Sequence, residues 1–489
     1  MFFKKNWFML SSFLIAFLAA VIRFYNFSNR WVLAGDQAHF ALVGKYMLES
    51  KLLPLLGPFS SAGPFQTGGE WYWFVAIGSI FSFFGVTAPW IFLVATYIFF
   101  VYLMIVIGQK MEGKKFGLVV GCLSAVSTGE IIQSVNLSNQ SPIPLFSALS
   151  ILCMILYLQT KSSRFIFLMS FLVGIAISIH LQGVALIALI LITIILGYFP
   201  GIKRLILIPI GLVIPWVPVF IADSQNHFAN SYNMIYYFFF EKNKASFDEL
   251  GRRWLTFVGV FIPYAWGYTI GGVSLMGYLM TPIVFGFGVY QTIKKQITRQ
   301  WIVLFVSTIL MFIILRYTRT PLFESFYAFL HPFTLLLTGW GLLQVYKRKK
   351  LIAITIFICL IATSLYFDIS EITKIKFNIN TVKPQKEVEK LVEKFPSKKF
   401  AIYDYKFDTS GYSQSLSLYL YNADKIDDNG MKIGFSNTDT LEYPIVLRDG
   451  GFILYDISSL SPEKLTKQKW VFVNPSGIYH SGQDWYKKK

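Results

Sequence analysis

Charge is what this 489-residue chain is short of. Only 14% of its residues are Asp, Glu, Lys or Arg, against about 25% in soluble domains. That shortage excludes the row of about three soluble domains, at roughly 150 residues each, that length alone would imply. Cysteine is nearly missing as well. Cys122, Cys153 and Cys359 all lie in apolar runs, so no disulfide framework is implied. There is no internal repeat, no low-complexity linker, no Walker A sequence and no Gly-rich dinucleotide fingerprint.

Apolar surface is what the chain has in excess, at 55% hydrophobic and 18% aromatic residues. Forty-four Lys+Arg against 26 Asp+Glu leave a net charge of +18. In a soluble protein that excess would point to nucleic acid. In a chain this apolar it points to a membrane protein, whose basic residues gather in cytoplasmic loops, and no nucleic-acid partner is expected. Apolar stretches of spanning length recur from residue 7 to about residue 368. The N-terminal run Trp7–Ile22 follows Lys4 and Lys5 but is followed by no small-x-small cleavage site, so it reads as an uncleaved first span.

Six short loops hold 16 basic residues and a single acid, Glu112. All six lie on one side only if two long uncharged blocks, Trp71–Gln109 and Trp254–Ile293, cross once each with their first halves at the surface. Crossing twice would move seven of the 16 basic residues outside. The positive-inside rule therefore favours eleven spans, with thirteen as the alternative, in the plasma membrane with the N-terminus cytoplasmic. They fall near 7–25, 89–109, 116–132, 143–160, 165–182, 184–200, 205–222, 274–293, 301–316, 327–346 and 351–368.

Beyond residue 369 the composition changes. Residues 370–489 hold 18 Lys+Arg and 15 Asp+Glu. Strand-like pieces occur at Phe400–Tyr405 and Trp470–Asn474, and helical pieces at Lys386–Phe395 and Ser413–Tyr421. Asp404, Asp408, Asp427 and Asp428 lack calcium-loop spacing and read as solvated charges. The expectation is an all-α polytopic domain over 1–369 with outer juxtamembrane helices, then a small extracytoplasmic α/β domain over 370–489.

The first outer loop is the most informative segment. Asp36, Gln37 and His39 open an amphipathic stretch just after the first span, Gly57–Pro64 breaks it, and Gly68-Gly69-Glu70-Trp71-Tyr72-Trp73 begins an aromatic interfacial segment. A carboxylate beside the bilayer suits general-base work on a hydroxyl, or metal ligation; it equally suits a helix cap. His180 and Gln182 end the fifth span, where polar groups serve either substrate contact or an interhelical hydrogen bond. Glu324, Tyr327 and His331 fall at i, i+3 and i+7 and would share a helical face. Tyr232–Phe240 is an aromatic interfacial anchor or a lipid-chain contact.

This arrangement resembles the GT-C superfamily of integral-membrane glycosyltransferases, near the bacterial protein O-mannosyltransferases and the lipid A aminoarabinose transferase. Asp36 matches the family's first acid after span one, and Glu70-Trp71-Tyr72 its aromatic segment. Asn139-Gln140-Ser141-Pro142 matches the turn before span four. Gly174–Gln182 and His227-Phe228-Ala229-Asn230 continue the likeness, which covers about residues 10–345. Two departures stand out: Gln37 replaces a second acid, and no lysine accompanies Gly68-Gly69-Glu70.

The resemblance implies transfer of a sugar, with inversion, from a polyprenyl-phosphate donor to a hydroxyl of an extracytoplasmic glycan, lipid or protein. Asp36 would be the base and Glu70 its catalytic helper. His39, Asn139, His180, Gln182, His227, Glu324, Tyr327 and His331 would contact substrate. Arg316 and Arg319 would hold phosphate, or else anchor the span at the interface. No cofactor is certain, and a divalent metal is compatible with the acids. A nucleotide-sugar donor is disfavoured. A transporter or lipid flippase is the rival, but the chain lacks the repeated halves and mid-membrane polar groups that one would carry; a membrane scaffold presenting the tail is a third possibility.

Overall fold

The structure is a computed structural model that describes residues 2–60, 63–240, 254–316, 324–406, 411–439, 441–449 and 452–473. Its apolar part is helical. The first loop folds as α1 (Phe2–Phe24), α2 (Phe27–Arg30), α3 (Gly35–Ser50), a hairpin of β1 (Leu56–Phe59) and β2 (Gln66–Gly68), and α4 (Glu70–Ser79). The bundle continues with α5 (Ala88–Glu112), α6 (Lys114–Ala125), α7 (Thr128–Gln133), α8 (Ile143–Thr160) and α9 (Ser163–Ile179). Next come α10 (Leu181–Gly197), α11 (Ile202–Ser224), α12 (Ala229–Phe239), α13 (Trp254–Ile270) and α14 (Ser274–Ile293). Three helices complete it: α15 (Arg299–Arg316), α16 (Glu324–Arg348) and α17 (Lys350–Lys374).

Among the described residues, seven helices are long and apolar enough to cross a membrane, and the bent pair α13–α14 makes an eighth. Two more apolar helices, α9 and α10, are shorter. The chain is thus a polytopic integral membrane protein. The first long uncharged block has the shape of a single crossing, and the second is a bent helix pair. In the first, α4 is only 10 residues long and cannot span, so α5 does. In the second, α13 and α14 meet at a 107° bend and pack on each other, Gly277 lying against the Pro263 carbonyl.

The expected third span is broken. Val126 and Ser127 leave helical geometry between α6 and α7, and a buried arginine occupies the break. Arg23, fully buried, donates to Ala125 O at 3.0 Å and Ser124 O at 3.4 Å, covering carbonyls that the end of α6 leaves free. Arg30 does the same for α1, donating to the carbonyls of Ile22, Arg23 and Tyr25. Asn26 (φ 55) stops α1, and its amide donates to Ile372 O and Ile375 O at the end of α17.

The tail packs on this end of the bundle. Helix α18 (Ile379–Lys394) and strand β3 (Phe400–Tyr405) lead into α19 (Tyr412–Asn422). Strands β4 (Met431–Ser436), β5 (Ile445–Asp449) and β6 (Phe452–Asp456), helix α20 (Pro462–Lys467) and strand β7 (Trp470–Phe472) follow. The five-stranded sheet runs β5-β6-β4-β3-β7, with β3 and β4 parallel and the other neighbours antiparallel. Phe400, Ile402, Ile433 and Phe435 close its core against Leu416 and Leu420 of α19. Asp404 is no solvated charge: it is 2% exposed and accepts from the Ser413 hydroxyl at 2.6 Å. Asp408 and Asn474 lie outside the described residues.

One helix joins the tail to the first loop. Leu418 of α19 is buried in the same cluster as Trp31, Ala38 and Phe40, a burial that stabilises by about 1.5–3 kcal/mol. Around it, Lys45 sits 5.1 Å from the Tyr421 ring, and the Tyr421 hydroxyl donates to Glu49.

Candidate active site

Helix α3 starts at Gly35 with Ala34 in the cap position and no side-chain cap. Asp36 is therefore not the cap; it stands in the first turn, where the positive helix end favours a carboxylate. The tail reaches the neighbouring residue. Gly411, in the left-handed region at φ +81, lies so close that a Cβ on it would sit 2.1 Å from Gly35 Cα. Asp36 itself opens to solvent, and its side chain has no hydrogen bond or ion pair among the described residues. The surrounding protein still desolvates the carboxyl enough to raise its pKa above the usual value.

A wall of amides lies beside it, carried by the turn after α7. Gln37 Nε2 donates to Asn136 Oδ1 at 3.0 Å. Asn139 Nδ2 donates to Ile179 O at 3.3 Å, and Gln140 meets His180 Nε2 at 3.1 Å. His180 ends α9 in extended geometry, and its Nδ1 accepts from the Gln182 backbone N–H at 3.4 Å. The His180 ring lies 5.8 Å from Phe326, and two residues earlier Glu324 Oε1 accepts from the Tyr264 hydroxyl at 2.5 Å.

The second carboxylate, Glu70, begins α4. Ser178 Oγ donates to Glu70 Oε2 at 2.7 Å. Burial raises the Glu70 pKa, and the Ser178 and backbone hydrogen bonds oppose the rise in part. Gly68 is the condition for this contact, since a Cβ there would lie 1.9 Å from Ser178 Oγ and 2.1 Å from Glu70 Oε2. His39 shares a 3.0 Å hydrogen bond with the Tyr72 hydroxyl, and burial lowers its pKa to about 4, so the ring is neutral at pH 7.

The remaining candidates divide. Arg316, at the end of α15, holds its guanidinium 5.5 Å from the centre of the Trp254 ring. Arg319 lies outside the described residues. His227 is exposed, on a left-handed backbone (φ 54), and its side chain has no partner among the described residues. Nearby Asp223 accepts from the backbone N–H groups of Asn230 and Ser231, starting α12, and the Asn230 side chain bridges Gln66 N and O.

Glu324, Tyr327 and His331 all meet one face of α13: Glu324 bonds Tyr264, and the Tyr327 and His331 rings lie 6.1 Å from Tyr268. They do so from an irregular segment, since Glu324–Leu330 form a 3-10 turn kinked at Tyr327 (φ −114, ψ 19). Tyr327 and His331 are buried, with His331 Nδ1 bonded to Glu130 Oε1 at 2.6 Å. Glu130 stands outside the sequence-based set of site residues. Its signal is nonetheless in the sequence: a lone acid in an apolar stretch is expensive and marks a function by default.

The site thus combines one unengaged carboxylate, one held carboxylate, hydrogen-bonding amides and a cation on an aromatic ring. Among the described residues no three His, Cys, Asp or Glu side chains gather as a metal-ligand set.

No protein-family model and no curated protein matches the sequence. Solved structures do match the fold. ArnT of Cupriavidus metallidurans in the apo state has a TM-score of 0.65 at 12% identity, covering 92% of this chain and 98% of that one. The same protein bound to undecaprenyl phosphate gives 0.61 with the same coverage. The archaeal oligosaccharyltransferase AglB of Archaeoglobus fulgidus, in complex with an inhibitory peptide and a dolichol-phosphate, gives 0.52 at 10% identity, covering 89% of this chain and 70% of that one. A further structure of the Archaeoglobus fulgidus oligosaccharyltransferase, with a TM-score of 0.50, holds zinc and sulfate. The chain has the GT-C fold.

Proposed function

We propose that this GT-C chain is a glycosyltransferase that moves a sugar from a polyprenyl-phosphate carrier to a hydroxyl acceptor on the extracytoplasmic side. The observation that carries the reading is Asp36: a carboxylate with no protein partner among the described residues, beside a wall of amides, at the end of the bundle where the tail packs. The undecaprenyl phosphate and dolichol-phosphate held by proteins of this fold support the donor class.

In the reaction, Asp36 takes the proton of the acceptor hydroxyl as that oxygen bonds to the anomeric carbon. The bond from that carbon to the phosphate oxygen breaks, and its electron pair leaves with the polyprenyl phosphate. Attack and departure on opposite faces invert the anomeric centre. Its raised pKa makes Asp36 a stronger base once ionised. Glu70, fixed by Ser178, orients substrate. Arg316 takes up the phosphate charge that develops, and His39, Asn139, His180, Gln182 and Glu324 supply hydrogen bonds to sugar and acceptor. Residues 1–369 form the catalytic domain; the extracytoplasmic tail, 370–489, touches the residue next to Asp36 and takes part in acceptor recognition. The N-terminus is cytoplasmic.

The test uses the full chain in lipid nanodiscs with undecaprenyl-phosphate-linked hexoses and aminoarabinose, and measures free undecaprenyl phosphate by mass spectrometry. Release of the free carrier is expected. Movement of an intact lipid between leaflets of a proteoliposome, with no bond broken, would instead identify a flippase.

A further inference from the structure

The amide wall is carried by a short, unusual segment. Helix α7 has only six residues and follows a break in the span, yet the turn after it presents Asn136 to Gln37 and Gln140 to His180. Something must hold so short an element in register. Part of the hold is ordinary: Ser127 Oγ donates to Thr269 O at 2.7 Å, just before α7.

The turn after α7 is also tied to the first loop, Val32 N–H donating to Val135 O at 2.9 Å, and what holds the buried side of α7 is Glu130. Its side chain and that of His331 are both completely buried, and Glu130 Oε1 to His331 Nδ1 is 2.6 Å. The two residues are 201 positions apart, so the bond ties α7 to α16 across the bundle. Charged and titratable groups around Glu130 come from four helices: Arg23 from α1, Tyr97 from α5, Tyr268 from α13 and His331 from α16. Arg23 spends its guanidinium hydrogen bonds on carbonyls of α1 and α6. Glu130 Oε2 and His331 Nε2 have no hydrogen-bond partner among the described residues. The pair is therefore held mainly by its own bond, and neither side chain reaches the open site.

A buried acid and base are costly to keep for stability alone, because packed apolar residues do as well or better. A bond of this kind fixes register. We propose that Glu130 and His331 are a positioning pair: their bond sets α7, and through α7 the Asn136–Gln140 turn, against Gln37, the neighbour of Asp36, and against His180. The proposal rests on the glycosyl-transfer reading for its catalytic meaning, but its geometry can be tested without any substrate.

The full chain is made with Cys122, Cys153 and Cys359 replaced by Ala and with the pair Gln37→Cys and Asn136→Cys introduced. It is then treated in nanodiscs with a short bifunctional methanethiosulfonate. Efficient cross-linking is expected, and Glu130→Ala or His331→Ala should each lower the yield about fivefold or more, with the double variant no worse than either single one. If the Ala variants elute as aggregates, the near-isosteric Glu130→Gln and His331→Asn serve, with a smaller loss in the same direction.

In the cysteine-intact protein, turnover of undecaprenyl-phosphate hexose should fall about tenfold in kcat while donor KM stays within about twofold. Unchanged cross-linking in well-folded variants would overturn the pair's role, as would strictly additive single effects. No carrier release from the unmodified chain, with cross-linking still dependent on the pair, would instead overturn the glycosyl-transfer reading and leave the positioning pair standing.

Discussion

Two carboxylates of the first loop have been given different surroundings, and the roles proposed for them follow from that difference. Among the described residues Asp36 stands without a protein partner, whereas Glu70 is gripped by Ser178. Asp36→Asn should cost about 10²–10⁴-fold in turnover, the usual worth of a positioned general base. It should not cost stability. The folded pKa of Asp36 lies above its unfolded value, so its ionisation opposes folding, and stability falls as pH rises from the ordinary carboxylate range through the raised value. Thermal unfolding at neutral pH should therefore show the Asn variant at least as stable as the parent.

The same shift places the acid limb of the pH–rate profile above the usual carboxylate range. Ser178→Ala, by removing a hydrogen bond that lowers the Glu70 pKa, should push that carboxyl further up. Gly68→Ala should displace Glu70 and destabilise by about 1–3 kcal/mol through overpacking, measurable in a denaturation scan. The acids themselves were legible in the sequence because both stand at edges of apolar runs. Ser178 was not, since a serine inside a span looks like any small packing residue until the hairpin glycine brings Glu70 to it.

Helix positions followed from apolar runs, but helix ends depend on polar groups supplied from afar. The close of α1 is secured by Arg30, buried and spread over three carbonyls. Arg30→Met should leave those carbonyls without that donor and lower stability by about 1–3 kcal/mol, read as an earlier thermal transition in detergent. The break between α6 and α7 was hidden because Val126 and Ser127 carry no strong helix-stop signal, and what fills the gap is Arg23 from another helix. The kink at Tyr327 was equally hidden. Regular helical spacing put Glu324, Tyr327 and His331 on one face, and they do meet Tyr264 and Tyr268 of α13 together, but through a 3-10 turn tighter than that spacing assumes. In the tail, β3 came out at the predicted Phe400–Tyr405 because a short strand with a buried face needs little context.

The assembled chain ties its tail to the first loop through α19. Leu418 is the apolar centre of that contact, and the exposed charges around it are worth little by comparison. Leu418→Asp should loosen the tail, seen as faster limited proteolysis between residues 374 and 400, and should impair transfer to acceptor more than hydrolysis of the donor. The change of composition beyond residue 369 set the tail apart; it could not show that the tail folds back to within contact of Gly35, because only the three-dimensional structure brings residues so distant in sequence together.

The central claim is that Asp36 is the base for sugar transfer from a lipid phosphate. The most direct measurement compares the full chain and its Asp36→Asn variant in nanodiscs, following release of undecaprenyl phosphate from undecaprenyl-phosphate sugars alongside binding of undecaprenyl phosphate itself. Release by the parent, its near-complete loss in the variant, and equal binding in both are expected. Equal release by parent and variant, or no release from any donor by either, would contradict it.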